Sequence, residues 1–295
     1  MLSKLTPENM KRSFLPLMTG IFIFICINGV KAQTSLTPQN RVYLENTEQF
    51  TIDSKYVADE HYIIQVGLPA GYFRSSRSYP VLYVLDGDKS FGMTKELTDW
   101  LTWSNEIRNI IIVGISYGKG TNIWWEKRSR DFTQFKDTVY YYYPNAGGAD
   151  NFLGFIKNEL FPVVNKNYRT NPDSNTIMGL SFGGLLSTYV LLAQPDMFKN
   201  YIIISPSLFW NGNSILKTES EYFSKHKELD KVVYMAYGSL DDKNWVIDPA
   251  NEFIQILKMR KYEGLKFIPQ VFNGETHISV YPVALTHGLK TVFKH

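Results

Sequence analysis

Short, nearly unbroken apolar runs that stop at a glycine, serine or aspartate constrain this chain most. They are Pro80 to Leu85 (PVLYVL), Asn109 to Ile115 (NIIIVGI), Thr176 to Met178, Tyr201 to Ile204 and Val232 to Met235. Runs of this length without polar alternation suit strands covered on both faces. Stretches of helical spacing fall between them, at Phe91 to Trp103, Asp150 to Tyr168, Phe182 to Ala193, Asn213 to Lys227 and Pro249 to Tyr262. Alternating strand and helix imply right-handed crossovers and a mostly parallel sheet with helices on both faces. Phe50 to Ile52 and Glu60 to Val66 are expected as antiparallel strands ahead of it, and Lys266 to Val271 as the last strand. Residues 117–150 lose periodicity and are expected to be a loop insertion. With no internal repeat, residues 33–295 read as one α/β domain.

The first 32 residues read differently. Lys11-Arg12 precede the apolar residues Phe14 to Ile25, and Val30-Lys31-Ala32 offers a cleavage site after Ala32. This is the pattern of a signal peptide, which predicts a secreted or periplasmic protein with no stable membrane association after cleavage. Loss of Lys4, Lys11, Arg12, Lys31 and Glu8 reduces 31 basic and 28 acidic residues to 27 of each. A near-neutral chain argues against nucleic acid as a partner. The single cysteine, Cys26, lies in the leader, so the mature chain is expected to be held by its core rather than by disulfides.

The chemistry centres on Gly179-Leu180-Ser181-Phe182-Gly183-Gly184, between a strand and a helix. A sharp turn there lifts Ser181 into solvent and aims the helix's N-terminal N–H groups at the same point. A serine hydroxyl needs a base to become a nucleophile. His277 follows the last strand in Phe272-Asn273-Gly274-Glu275-Thr276-His277, whereas His226 is on a charged helix face and His287 is mid-helix. Between them, Gly238-Ser239-Leu240-Asp241-Asp242 ends another strand and offers Asp241, or alternatively Asp242, as the acid. The order Ser, Asp, His is that of an α/β-hydrolase fold. The oxyanion hole is expected from the Phe182 N–H and from Gly87 or Asp88 after the strand Val81 to Leu85. The side chains of Asp86 and Asp88 are expected to brace that loop. Trp124, Trp125, Arg128 and Tyr142 are the candidate substrate contacts, and Arg130 beside Asp131 is expected to pin the segment. This machinery calls for no metal and no cofactor.

Five stretches together resemble a known family of α/β-hydrolase esterases that includes esterase D-like enzymes, feruloyl and acetyl-xylan esterases, and ferric siderophore esterases. They are YPVLYVLDGD (Tyr79 to Asp88), KRSRDFT (Lys127 to Thr133), Gly147 to Thr170, Gly179 to Trp210 and GETHISVYP (Gly274 to Pro282). The resemblance implies Ser181 as nucleophile, His277 as base and a small-molecule or saccharide ester as substrate. LDGD, RSRDFT and GETH look most like the siderophore esterase branch. The alternatives are a carbohydrate esterase of feruloyl or acetyl-xylan type, or a non-catalytic binding protein on a hydrolase fold.

Overall fold

The computed structural model describes residues 43–118, 120–136 and 143–295; the expected leader and Tyr142 lie outside them. Eight strands form one sheet: β1 (Thr47–Asp53), β2 (His61–Gly67), β3 (Val81–Val84), β4 (Ile111–Ser116), β5 (Thr176–Leu180), β6 (Asn200–Ile204), β7 (Val232–Gly238) and β8 (Lys266–Phe272). Their spatial order is β1-β2-β4-β3-β5-β6-β7-β8. β2 runs antiparallel to both β1 and β4, and every other pairing is parallel. This is the α/β-hydrolase order, with the two antiparallel N-terminal strands where they were expected.

Burial explains the element types. Every residue of β3, β4 and β6 is buried, as continuous apolar runs require, whereas β2 alternates between half-buried and buried positions. Successive side chains of a strand face opposite ways. Leu82 and Val84 therefore join one core, under α1 (Gly87–Trp103) and α8 (Val280–Phe293). Val81 and Tyr83 join the other, under α3 (Ala149–Phe155), α4 (Phe161–Asn167), α5 (Phe182–Ala193), α6 (Trp210–Lys225) and α7 (Asp248–Arg260). Pro269 lies in β8, which pairs only with β7, so its missing N–H costs least at that edge.

Two expectations need correction. Helix α1 starts at Gly87 rather than near Phe91, because Asp86 adopts a left-handed conformation (φ 55°, ψ 43°) that turns the chain directly out of β3. Residues 117–150 are not all loop, for α2 spans Thr121–Asp131. Its inward positions are charged rather than apolar, so hydrophobic periodicity could not reveal it. Arg128 and Asp131 are both buried.

Asp131 Oδ2 accepts from Tyr62 Oη at 2.7 Å and Tyr117 Oη at 3.1 Å, and Oδ1 accepts from Arg130 Nε at 2.6 Å. Arg130 also reaches Glu60 at 3.0 Å, and Lys127 pairs with the same carboxylate. This network ties α2 to β2 and to Tyr117 just after β4, consistent with a pinning role for Arg130 and Asp131. Arg130 keeps Glu60 if Asp131 is removed, but the buried Tyr62 and Tyr117 hydroxyls lose their acceptor, together costing about 2–4 kcal/mol. Asp131→Ala is therefore expected to lower unfolding stability by about that amount in denaturant titrations. A loss below about 1 kcal/mol would show that the network does not hold the helix.

Candidate active site

Ser181 occupies the junction of β5 and α5 at φ 60° and ψ −118°, a strained conformation for a residue with a side chain. Gly179 makes the turn possible. A Cβ there would lie 2.2 Å from the carbonyl carbon and oxygen of Gly183, so strand and helix backbones touch. Gly183 itself is not under the same constraint, because its own Cβ would find Leu85 only at 3.5 Å. The Ser181 N–H donates to Ile204 O at 3.0 Å, and the Ser207 N–H donates to Ser181 O at 3.1 Å. The turn is thus held to the end of β6 by its backbone. Its Oγ lies 3.2 Å from Ser207 Oγ.

His277 arrives from the loop after β8, and its Nδ1 lies 2.7 Å from Asp241 Oδ1. Asp241 is buried, and its Oδ2 accepts from Ser205 Oγ at 2.6 Å and from the Gly238 N–H at 3.2 Å. Burial alone would raise the carboxyl pKa. The bonds from His277, Ser205 and Gly238 outweigh it and hold the group below the usual carboxylate range. Asp242 points elsewhere. Its Oδ1 caps the following turn, accepting from the N–H groups of Asn244 and Trp245, both at 2.8 Å. The loops carrying Asp241 and His277 are stitched together where Ser239 N–H donates to Phe272 O and Leu240 N–H to Glu275 O, each at 2.9 Å. A Cβ on Gly238 would strike Glu275 O at 2.2 Å, so this position too needs glycine.

Ser181 and His277 line the same two clefts. No direct Ser181–His277 hydrogen bond forms among the described residues. Hydrogen bonds of this kind are often long or unformed in unliganded enzymes and tighten when substrate binds.

Phe182 lies in the first turn of α5, where backbone N–H groups have no helical acceptor. Gly87 and Asp88, the other expected oxyanion donors, open α1 and line neither of the two clefts that contain Ser181; the β3 end is represented there by Leu85 and Asp86. The two aspartates do brace their surroundings. Asp88 accepts from the N–H groups of Tyr117 and Gly118 at 2.7 and 2.9 Å. Asp86 receives Arg128 Nε at 2.9 Å and Nη2 at 2.8 Å, a bidentate pair.

The larger cleft, about 580 Å³, contains Asp86, Lys89, Trp124, Trp125 and Arg128 beside Ser181 and His277. Arg128 is buried there with its Nη1 unpartnered among the described residues, and its guanidinium lies 4.8 Å from the Trp124 ring centre. The smaller cleft, about 270 Å³, is lined by Trp125, Tyr143, Phe182, Phe209, Trp210 and Trp245 around Ser207, Asp241 and Asp242. Of the expected substrate contacts, Trp124, Trp125 and Arg128 are thus brought to Ser181. Sequence reasoning missed Ser205, Ser207, Phe209, Trp210 and Trp245. All follow the carboxyl ends of β6 and β7, where functional groups of a parallel sheet collect. Among the described residues no group of His, Cys, Asp and Glu side chains is arranged to hold a metal.

Known proteins resemble this chain over most of its length. A family model described as "Esterase: Putative esterase" matches residues 55–288. The ferri-bacillibactin esterase BesA of Bacillus subtilis is 33% identical over 226 residues, covering 72% of this chain and 78% of its own. The siderophore triacetylfusarinine C esterase of Aspergillus fumigatus is 28% identical over 288 residues, covering 86% and 95%. Among solved structures, the BES protein from Bacillus cereus superposes with a TM-score of 0.77 at 30% identity, covering 86% of this chain and 98% of its own.

The two glycines of the elbow should respond differently to a methyl group. Gly179→Ala is expected to destabilise by about 2 kcal/mol or more through backbone overlap. Gly183→Ala should be neutral or slightly stabilising, since alanine favours helix by about 1 kcal/mol. Thermal unfolding of both variants is the check, and equal melting temperatures would contradict the close approach.

Proposed function

Because the chain belongs to this Esterase family and is thereby a carboxylic ester hydrolase, we propose that it cleaves siderophore-type esters through an acyl-enzyme on Ser181. The observation that carries the mechanism is the 2.7 Å contact of His277 Nδ1 with buried Asp241, placed at the clefts that also expose Ser181. Asp241 fixes the tautomer that leaves Nε2 free to accept a proton. Ser181 Oγ attacks the ester carbonyl carbon as His277 takes its proton. The Phe182 N–H and a second N–H from the β3 end receive the oxyanion. Collapse of the tetrahedral intermediate expels the alcohol, protonated by His277, and water then releases the acid by the same route in reverse.

The siderophore reading is supported by the larger cleft as well as by the relatives. The charge of buried Arg128 is matched by Asp86 in the same cleft, and Lys89 adds a cation beyond that pair, which suits an anionic, oxygen-rich ligand. The electrostatic draw of Lys89 is selective: a neutral acetylated sugar gains little from it.

Asp241→Asn is expected to reduce kcat by about 10³-fold or more, as loss of the tautomer-fixing carboxylate does elsewhere. Asp242→Asn should stay within about threefold on small esters, because asparagine also caps a turn. The reverse ranking would contradict the assignment. Stability should follow the same carboxylate. Its pKa is depressed in the folded chain, so its contribution is present above the unfolded value near 4 and lost as pH falls through the folded value. The stability gap between wild type and Asp241→Asn is therefore expected to close on acidification below about pH 4, and a gap that widens would contradict it. For substrate, kcat/KM should be at least about tenfold higher for a ferric tricatecholate lactone than for acetylated or feruloylated xylo-oligosaccharides. A preference for the oligosaccharides would overturn the siderophore reading.

We place the reaction outside the cytoplasm because of the leader-like N-terminus. N-terminal sequencing of the protein made in its native host should begin at Gln33, and a chain beginning at Met1 would contradict this.

A further inference from the structure

Two neighbouring carboxylates, Asp241 and Asp242, lie in the loop after β7, yet only the first faces the imidazole. The second caps a turn of wide helix, Lys243–Ile247, through bonds from the N–H groups of Asn244 and Trp245. That cap fixes the backbone of Trp245 itself. The indole, 53% exposed, stacks on Phe209 with ring centres 5.4 Å apart and planes at 21°. Phe209 in turn precedes a left-handed turn at Asn211, Gly212 and Asn213, with φ of 48°, 66° and 59°, a conformation that asparagine and glycine tolerate.

We propose that the Asp242 turn is a specificity element: it holds Trp245 and Phe209 as one wall of a slot for a planar aromatic ring of the ester. Trp125, like Ser181 and His277, lines both clefts. Phe182 and Trp210, edge to face at 5.1 Å and 81°, and Tyr143, edge to face with Phe182, form the floor. Asp242 is a positioning residue and Trp245 the group that touches substrate. The proposal rests on the esterase reading and adds to it which part of the ester the smaller cleft takes.

Size and polarity favour an aryl group. An apolar cavity of about 150 Å³ holds benzene. The slot, near 270 Å³, admits one substituted ring and not two. A sugar stacked on the same wall would bury several hydroxyls that each need a partner. The slot's lining is mostly aromatic: Asp241 is engaged by His277, Ser205 and Gly238, and Asp242 Oδ1 by its cap, which leaves Asp242 Oδ2 and Ser207 to serve several hydroxyls. Core packing does not explain Trp245 or Trp125, because both keep over two-fifths of their surface exposed.

Three esters separate the possibilities: methyl ferulate, aromatic only in the acyl part; phenyl acetate, aromatic only in the alcohol; and methyl butyrate, with no ring. Trp245→Ala and Asp242→Ala are expected to lower kcat/KM about tenfold, chiefly through KM, for at least one aromatic ester, and to leave methyl butyrate within about threefold. Asp242→Asn, which keeps a cap, should restore the wild-type preference. Equal losses on all three esters, or no loss on either aromatic one, would overturn the proposal. Should wild type cleave none of them, the esterase reading is what fails, and the slot is then read by calorimetric titration of ferulate and of phenol. Weakening of either by about tenfold in Trp245→Ala supports it, and unchanged or undetectable binding of both in wild type and variant overturns it.

Discussion

The backbone contact between Gly179 and Gly183 is the constraint on which the rest of the site depends. It forces the chain from β5 into α5 with no intervening loop and leaves Ser181 at the apex in a strained conformation. The strain is held by hydrogen bonds to the neighbouring strand: the Ser181 N–H donates to Ile204 O and its carbonyl accepts from Ser207 N–H, both at the end of β6. The same turn places the N-terminal N–H groups of α5 beside the hydroxyl, so the proposed nucleophile and oxyanion donor come from one local feature.

A parallel sheet supplies the other groups because each strand delivers its following loop to the same edge. The ends of β5, β6, β7 and β8 contribute Ser181, Ser205 with Ser207, Asp241 and His277 respectively. Asp241 is desolvated, which would favour its neutral form, yet three donors keep it charged. That balance suits the proposed role: a charged carboxylate buried on its own side of the pair can stabilise an imidazolium at His277. The cleft's far wall comes from α2, whose attachment to the sheet through Asp131, Arg130 and Glu60 is polar rather than hydrophobic.

Much of this was legible in the sequence, for identifiable reasons. Buried strands announce themselves as apolar runs, and the expected sheet with its antiparallel N-terminal pair is the one observed. Ser181 and His277 stood out because each follows a strand beside glycine, and their placement at common clefts accords with that reading. The choice between Asp241 and Asp242 was not legible, since adjacent residues share every sequence signal and differ only in which way the loop turns them. Helix α2 was hidden because its inward face carries Arg128 and Asp131, whose burial depends on partners 40 to 70 positions away. The aromatic wall of Phe209 and Trp245 was missed because single aromatics after a strand look like ordinary core. The β3 end was misjudged because Asp86 starts α1 earlier than hydrophobic spacing suggests.

The central claim is that Ser181 is the activated nucleophile of this fold. The direct measurement is the intact mass of the protein after reaction with a fluorophosphonate, followed by peptide mapping of the adduct. The account predicts a single phosphonyl adduct on the peptide containing Ser181, absent in Ser181→Ala and formed far more slowly in His277→Ala. No adduct on the wild type, or an adduct on any other residue that persists in Ser181→Ala, would contradict it.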